Sequence, residues 1–248
     1  MRKIKSFLIL KRFLLLGLII ISCSNPLSKE QYVAYVNGEG LAVTMFKQYL
    51  AKNKAQVYSQ FSQKYPILNP SGFWQTTFGN NEIPAEVLKK KALDESVNIL
   101  VQQILAKKEG LLEDISYSGF LEKLETTNEY RKQSVTNKKI IYGPAEYTEV
   151  AYFDYLLSLV VIELKDRLAL NEFNVTENKL KEFYENNRLE LYRKKDSVNT
   201  TEYYPFDDIK TLVRSNYIDN QYERYINNLI ADADIKINYD VYNSLLIE

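Results

Sequence analysis

Apolar residues along most of this chain recur every three or four positions, the spacing that lines one side of an α-helix. From Val43 the run Val43, Met45, Phe46, Tyr49, Leu50 predicts a helix to about Phe61, with Thr44 as its candidate cap. Pro84 stands at a favoured first helical position, and Val87, Leu88, Leu93, Val97, Leu100, Val101, Ile104 and Leu105 carry the spacing on until Gly110. Ser116 or Tyr117 opens a further helix through Phe120, Leu121 and Leu124 to near Tyr130. Gly143-Pro144 then breaks the chain, and a long helix is predicted over 146–171. Thr176 caps the next, which buries Leu180, Phe183 and Tyr184 and fades near Arg193. A polar loop over 194–204 and Pro205 precede a last long helix over 206–230.

Two short segments alternate instead. Tyr32-Val33-Ala34-Tyr35-Val36 is rich in β-formers and runs into the turn signal Asn37-Gly38, and Ala233-Asp234-Ile235-Lys236-Ile237-Asn238 alternates isoleucine with polar residues. An isolated strand leaves its backbone groups unpaired. The two are therefore expected to pair, closing a mainly α chain with a small two-stranded β element. Between the first two helices, Pro66, Pro70, Gly72 and Gly79 punctuate a stretch holding Phe73, Trp74 and Phe78. An aromatic loop of this kind either packs on the core or offers rings to a ligand, so these three are the candidate peptide contacts.

The first residues follow another pattern. Arg2, Lys3, Lys5, Lys11 and Arg12 precede an almost wholly apolar run over 13–21, the charged start and apolar middle of a signal peptide. That run falls well short of the roughly 20 residues that span a bilayer as a helix. It ends at Ile20-Ile21-Ser22-Cys23, which resembles the bacterial lipobox, where the cysteine is lipidated and the chain is cut before it. Cys23 is the only cysteine, so no disulfide partner within the chain competes for the thiol. Residues 1–22 are accordingly expected to be a lipoprotein signal peptide, and 23–31 a short tether. The eight residues from 24 to 31 reach at most about 28 Å when extended. The body at 32–248 is thus expected to work close to the membrane, on its extracytoplasmic side.

Charge changes the picture once the signal peptide is set aside. The whole chain balances 32 basic against 32 acidic residues; without the five basic residues of 1–22 the count is 27 against 32, a mildly acidic protein. Nucleic acid and an anionic membrane surface both call for clustered excess Lys and Arg, so the overall charge balance points to neither, and no nucleic-acid partner is expected. Lys89-Lys90-Lys91 is read as a solvated face, and the acidic pairs Glu122 with Glu125 and Asp207 with Asp208 as charged surface. No cluster has metal-ligand spacing, and neither GxSxG nor a phosphate-binding glycine loop occurs, so no metal and no cofactor is expected.

Val33-Ala34-Tyr35-Val36-Asn37-Gly38-Glu39, shortly before a helix containing Phe46, resembles the "VAxVNGexI…eF" opening of the SurA and PrsA foldases. Ala92-Leu93-Asp94, continuing to Ile104-Leu105-Ala106-Lys107-Lys108-Glu109-Gly110-Leu111, resembles that family's "aLdxLIxxxLlxxxAkkxGi" helix. Asn174-Val175-Thr176-Glu177, continuing to Tyr184-Glu185-Asn186-Asn187, is similar to "vTeeelkxyYexN", and 209–237 to the returning helix and "L…kAdIxi" strand. The pieces keep the family's order and cover about half of the chain after the signal peptide; 112–173 matches less clearly and is read as a helical elaboration.

The resemblance implies a SurA N-terminal-like helical chaperone domain over 32–248, binding unfolded or exported polypeptides. Known members carry a parvulin isomerase domain between the "yYexN" helix and the returning helix, where this chain has only 194–205. Parvulin sites as known use a pair of histidines, and this chain contains none. Parvulin-type isomerisation is therefore not expected, and the protein is read as a non-enzyme. An alternative stays open: a lipoprotein adaptor or binding module for one specific envelope partner.

Overall fold

Asn37 and Gly38 have φ of 51° and 88°, the two successive positive values that a two-residue type I′ hairpin requires. They join β1 (Tyr32–Val36) to β2 (Glu39–Ala42). These residues belong to a computed structural model that describes residues 30–66, 70–194 and 202–248. Residues 1–22, read as a signal peptide, Cys23, the expected tether as far as Lys29 and most of the 194–204 loop lie outside the described residues. β3 (Ile235–Ile237) pairs antiparallel with the other edge of β1, giving the sheet order β2-β1-β3. The expected pairing of first and last strands is present, in a register that sets Ala34 opposite Ile237 and Val36 opposite Ile235. Asn37 locks it: its N–H donates to Asp234 O and its Oδ1 accepts from Asp234 N, both at 2.9 Å.

The third strand, β2, was not foreseen. Its four residues include Gly40 and run directly into α1 (Val43–Lys64), leaving too short a segment for alternation to register. Ala42, not Thr44, is the N-cap of α1, and no side chain caps it. Its first turn is instead tied to the chain's start, Val43 N–H donating to Gln31 O at 2.8 Å.

α2 (Pro84–Lys108) starts on its proline, as expected, and ends at Gly110, whose φ of 72° terminates the helix without a Cβ penalty. Leu111 N–H closes that end on Ala106 O at 2.8 Å. Helices α1 and α2 form the centre of the core: Phe46, Val57 and Phe61 from α1 are buried with Leu88, Ala92 and Leu100 from α2. Burying each of these Phe, Val and Leu side chains contributes about 1.5–3 kcal/mol relative to leaving it in water. The basic run at the start of α2 splits. Lys90 and Lys91 pair with Asp94 and Glu95 along the outer face, but Lys89 is buried, 3.7 Å from Glu86 and with its ammonium 5.5 Å from the Tyr242 ring.

The aromatic stretch between α1 and α2 forms two short 3₁₀ turns, Pro70–Gln75 and Gly79–Asn81. Phe73 and Trp74 are buried and Phe78 is half-buried. Phe73 sits edge-on to both Phe61, at 6.1 Å, and Trp74, at 4.9 Å, while Phe78 stacks on Tyr65 at 5.2 Å. The candidate contact residues are thus the packing of this corner and not an open surface. The physical reason is area: each ring removes 150–250 Å² from water when buried, and the ends of two helices lie beside it.

Helices α3 (Tyr117–Thr136) and α4 (Glu149–Asn171) make the 112–173 region helical, as expected. They are capped by Ser116, accepting from Gly119 N at 3.1 Å, and by Thr148, accepting from Ala151 N at 3.3 Å. α4 enters the main core with Leu164, Leu168 and Ala169, whereas the only buried residues of α3 are Asn128 and Ser134. α5 (Glu177–Leu191) and α6 (Lys210–Ala231) build a smaller core from Leu180, Tyr184, Tyr192, Val213 and Tyr217. Further along α6, Ile218, Tyr222 and Ile226 return to the main core, so one helix serves both. The 194–204 loop is drawn shut at its ends, with Tyr204 N–H donating to Tyr192 O at 3.0 Å and Lys194 N–H to Glu202 O at 2.9 Å. α7 (Tyr239–Ser244) and the following residues fold back over α1: Tyr242 meets Phe46, and Gln75 Nε2 holds Ile247 O at 2.7 Å.

Candidate functional site: an apolar trough beside helix α4

The N-terminal half of α4 carries more apolar residues than one helix face can bury. Between 150 and 162 only Ala151, Asp154 and Ser158 interrupt Val, Tyr, Phe, Leu and Ile. A core-facing helix needs a stripe about 100° wide, so the surplus must line a second surface. Phe153 packs inward; Leu156, Leu157 and Val160 stay half-buried because α3 covers them incompletely. α3 touches α4 chiefly through Phe120, whose ring lies 5.9 Å from Tyr152 and 5.5 Å from Phe153.

What remains open is a trough made of three cavities that share residues. One, of about 50 Å³, lies between Leu112, Ile115, Phe120, Leu156, Leu157 and Val160, with Gln103 and Lys123 at its edges. The second, about 30 Å³, shares Gln103, Ile115, Phe120 and Phe153 with it and extends to Met45, Tyr49 and Ile99. A third and larger one, about 420 Å³, continues from Tyr49 and Phe153 to Val150, Gln48 and Lys52. The walls are apolar, with amides and a few charges along the rim.

Tyr49, on the trough's floor, is buried, and that burial raises its hydroxyl pKa, with the Asp154 and Glu95 carboxylates adding to the effect. It therefore remains a neutral hydroxyl at physiological pH. Asp114, on one wall, has its pKa lowered because its carboxylate accepts from Ser116 N at 2.8 Å and Ser116 Oγ at 2.9 Å. Those bonds commit it to the turn before α3. The entrance is latched by Glu149, whose Oε1 accepts from Tyr117 Oη at 2.9 Å and from Gln48 Nε2, tying α1, α3 and α4 together.

No protein-family model, no curated protein and no solved structure matches this chain.

The trough is lined mainly by apolar side chains. Among the described residues no group of carboxylates and cysteines could hold a metal ion, and the chain has no histidine to act as a base near neutral pH. Glu122, Glu125, Asp207 and Asp208 are exposed and lie on the outer faces of their elements. Among the described residues no helix is long and apolar enough to cross a membrane. Of the residues singled out from the sequence, Phe73, Trp74 and Phe78 come together, but in the corner beyond α1. The trough residues were not singled out, although the excess of apolar residues over 150–162 was a readable sign of them.

Proposed function

We propose that this protein is a lipid-anchored, extracytoplasmic holding chaperone that binds unfolded or newly exported polypeptide in the trough beside α4, without isomerase activity. The single observation that supports the reading best is the open apolar trough. The apolar side chains that remain half-buried along α4, Leu156, Leu157 and Val160, are of the kind that packs against apolar side chains of a bound peptide. An extended segment offers apolar side chains at alternate positions, and a continuous trough with an amide-bearing rim suits several sequences rather than one. The signal sequence and Cys23 would deliver the domain to the membrane surface, where such segments emerge; a diacylated cysteine makes that attachment durable.

The test is suppression of aggregation of unrelated, chemically denatured proteins by the domain, followed by light scattering at near-equal molar ratio. Suppression is expected, and Val150→Ser, at an exposed position on the trough's wall, should weaken it while the unfolding midpoint changes little. Absence of suppression, together with capture of one folded envelope protein, would replace this reading with that of a dedicated adaptor. Metabolic labelling with a fatty-acid analogue tests the anchor: the native chain should be labelled and Cys23→Ala should not.

A further inference from the structure

Past the trough, α3 runs on beyond its contacts with α4 and ends in a loop, residues 137–148, that folds back along it. This loop has fixed geometry. Asn128, buried on α3, donates from Nδ2 to Tyr147 O at 2.9 Å and accepts at Oδ1 from Tyr147 N at 2.8 Å. Arg131 donates from Nε to Pro144 O and from Nη2 to Tyr142 O, both at 2.7 Å, and its guanidinium lies 4.8 Å from the Tyr147 ring. Lys139 N–H donates to Ser134 O at 2.9 Å, closing the end of α3. With its backbone held this way, the loop projects Ile140 and Tyr142, 87% and 89% exposed, more than any other large apolar residue described.

Charge singles out the same place. Residues 131–145 contain Arg131, Lys132, Lys138 and Lys139 and no acid, in a protein that is otherwise acidic once 1–22 is removed. The flanking acids are Glu129 and Glu146, and Glu146 is paired with Lys132 at 2.8 Å. Two lysines beside a projecting isoleucine and tyrosine, on a loop already ordered, match the interface of an anionic bilayer. The aliphatic side chain enters the acyl boundary, the tyrosine lies at headgroup depth, and the ammonium groups meet lipid phosphates. Prior ordering matters because no loop entropy is then lost on insertion. We infer that the tip of α3 and the 137–148 loop form a lipid-contacting arm, which would dock the domain against an anionic membrane surface independently of Cys23.

The compact unit Gln31–Glu248 carries the complete core and lacks the cysteine, so it separates this arm from the anchor. Sedimentation of that unit with vesicles of three parts phosphatidylcholine to one part phosphatidylglycerol is the experiment, with pure phosphatidylcholine as control. Binding is expected to the anionic vesicles. Each of Lys138→Glu and Lys139→Glu should weaken it by about fivefold or more, from about 1 kcal/mol per basic residue near an anionic surface. Ile140→Asp with Tyr142→Asp should abolish it while leaving the circular dichroism melt unchanged. A tryptophan placed by Ile140→Trp should shift its emission to the blue on binding, over the constant signal of buried Trp74. No sedimentation, sedimentation indifferent to these substitutions, or instead a self-association that Tyr142→Asp removes, would overturn the inference. Failure here leaves the chaperone reading untouched, because aggregation suppression needs no membrane.

Discussion

The buried Tyr222 hydroxyl on α6 donates a 2.8 Å hydrogen bond to Oε1 of Gln102, buried on α2 and 120 positions away in the chain. Gln102 is itself oriented by Asn98, whose Oδ1 accepts from Gln102 Nε2 at 2.7 Å. The last long helix is thereby keyed to the second in one rotational setting, with a polar pair inside an apolar contact. Tyr222→Phe leaves the Gln102 oxygen buried and unpaired, and should cost about 1–3 kcal/mol in urea unfolding. Combining it with Gln102→Met removes both polar partners, and the double variant should recover much of that loss.

The aromatic corner gives a second expectation. Phe73→Ala deletes a ring that is 1% exposed and contacts Phe61, Trp74, Phe78 and Tyr58. A loss of about 3–5 kcal/mol is expected, the usual cost of a large aromatic removed from a packed site. The holding activity per folded molecule should not change. A variant that stays fully stable but no longer suppresses aggregation would return this loop to the role of a contact surface.

Glu149 should control how far the trough opens. Glu149→Ala removes the acceptor shared by Tyr117 and Gln48 and loosens the hold of α3 on α1 and α4, leaving the Phe120 and Thr127 contacts with α4 in place. Hydrogen–deuterium exchange over 112–127 is expected to quicken, with protection in α2 unchanged, because the core contacts of α4 at Leu164 and Leu168 lie well beyond the latch.

Alkaline stability should reflect the buried tyrosines. Burial, with smaller effects from Glu86, Asp94 and Tyr239, pushes Tyr242 up to about 12 in the folded protein, against 10.0 when free. Burial likewise raises Tyr222, and raises Tyr49 with help from Asp154 and Glu95. Since the folded pKa lies above the unfolded one, the stabilisation is complete below pH 10 and is lost as pH rises from there through 12, where only the unfolded chain first releases its protons. Urea midpoints measured from pH 8 to 11.5 should fall above 10, and Tyr242→Phe should make that fall shallower.

The local signals of this chain were strong where a single residue dictates backbone conformation. Pro84 starts α2, Gly110 ends it, Ser116 and Thr176 cap their helices, and Asn37-Gly38 turns the hairpin, each through a property of its own side chain or lack of one. Helix spacing was equally legible wherever a face is buried, and the end strands declared their pairing because no other strand was legible between them. β2 escaped because its four residues do not alternate in burial and run straight into α1, and α7 because six residues are less than two helical turns.

Side-chain destinations were a different matter. Phe73 and Tyr142 are both aromatic residues in breaker-rich loops, and nothing local to either sequence separates them. One is packed beneath the ends of two helices and the other stands in solvent, because the first loop crosses the core's edge and the second lies along a helix that projects away from it. Lys89 and Lys90 are neighbours in one basic run, yet a rotation of 100° along α2 buries the first and exposes the second. The sequence by itself determined the helical class, the element boundaries set by caps and breakers, and the closing pair of strands, since these depend on backbone preferences and periodicity within a few residues. The trough beside α4, its Glu149 latch and the basic apolar tip were decided only by tertiary structure, because each depends on how far α3 stands from a core built by residues distant in the chain.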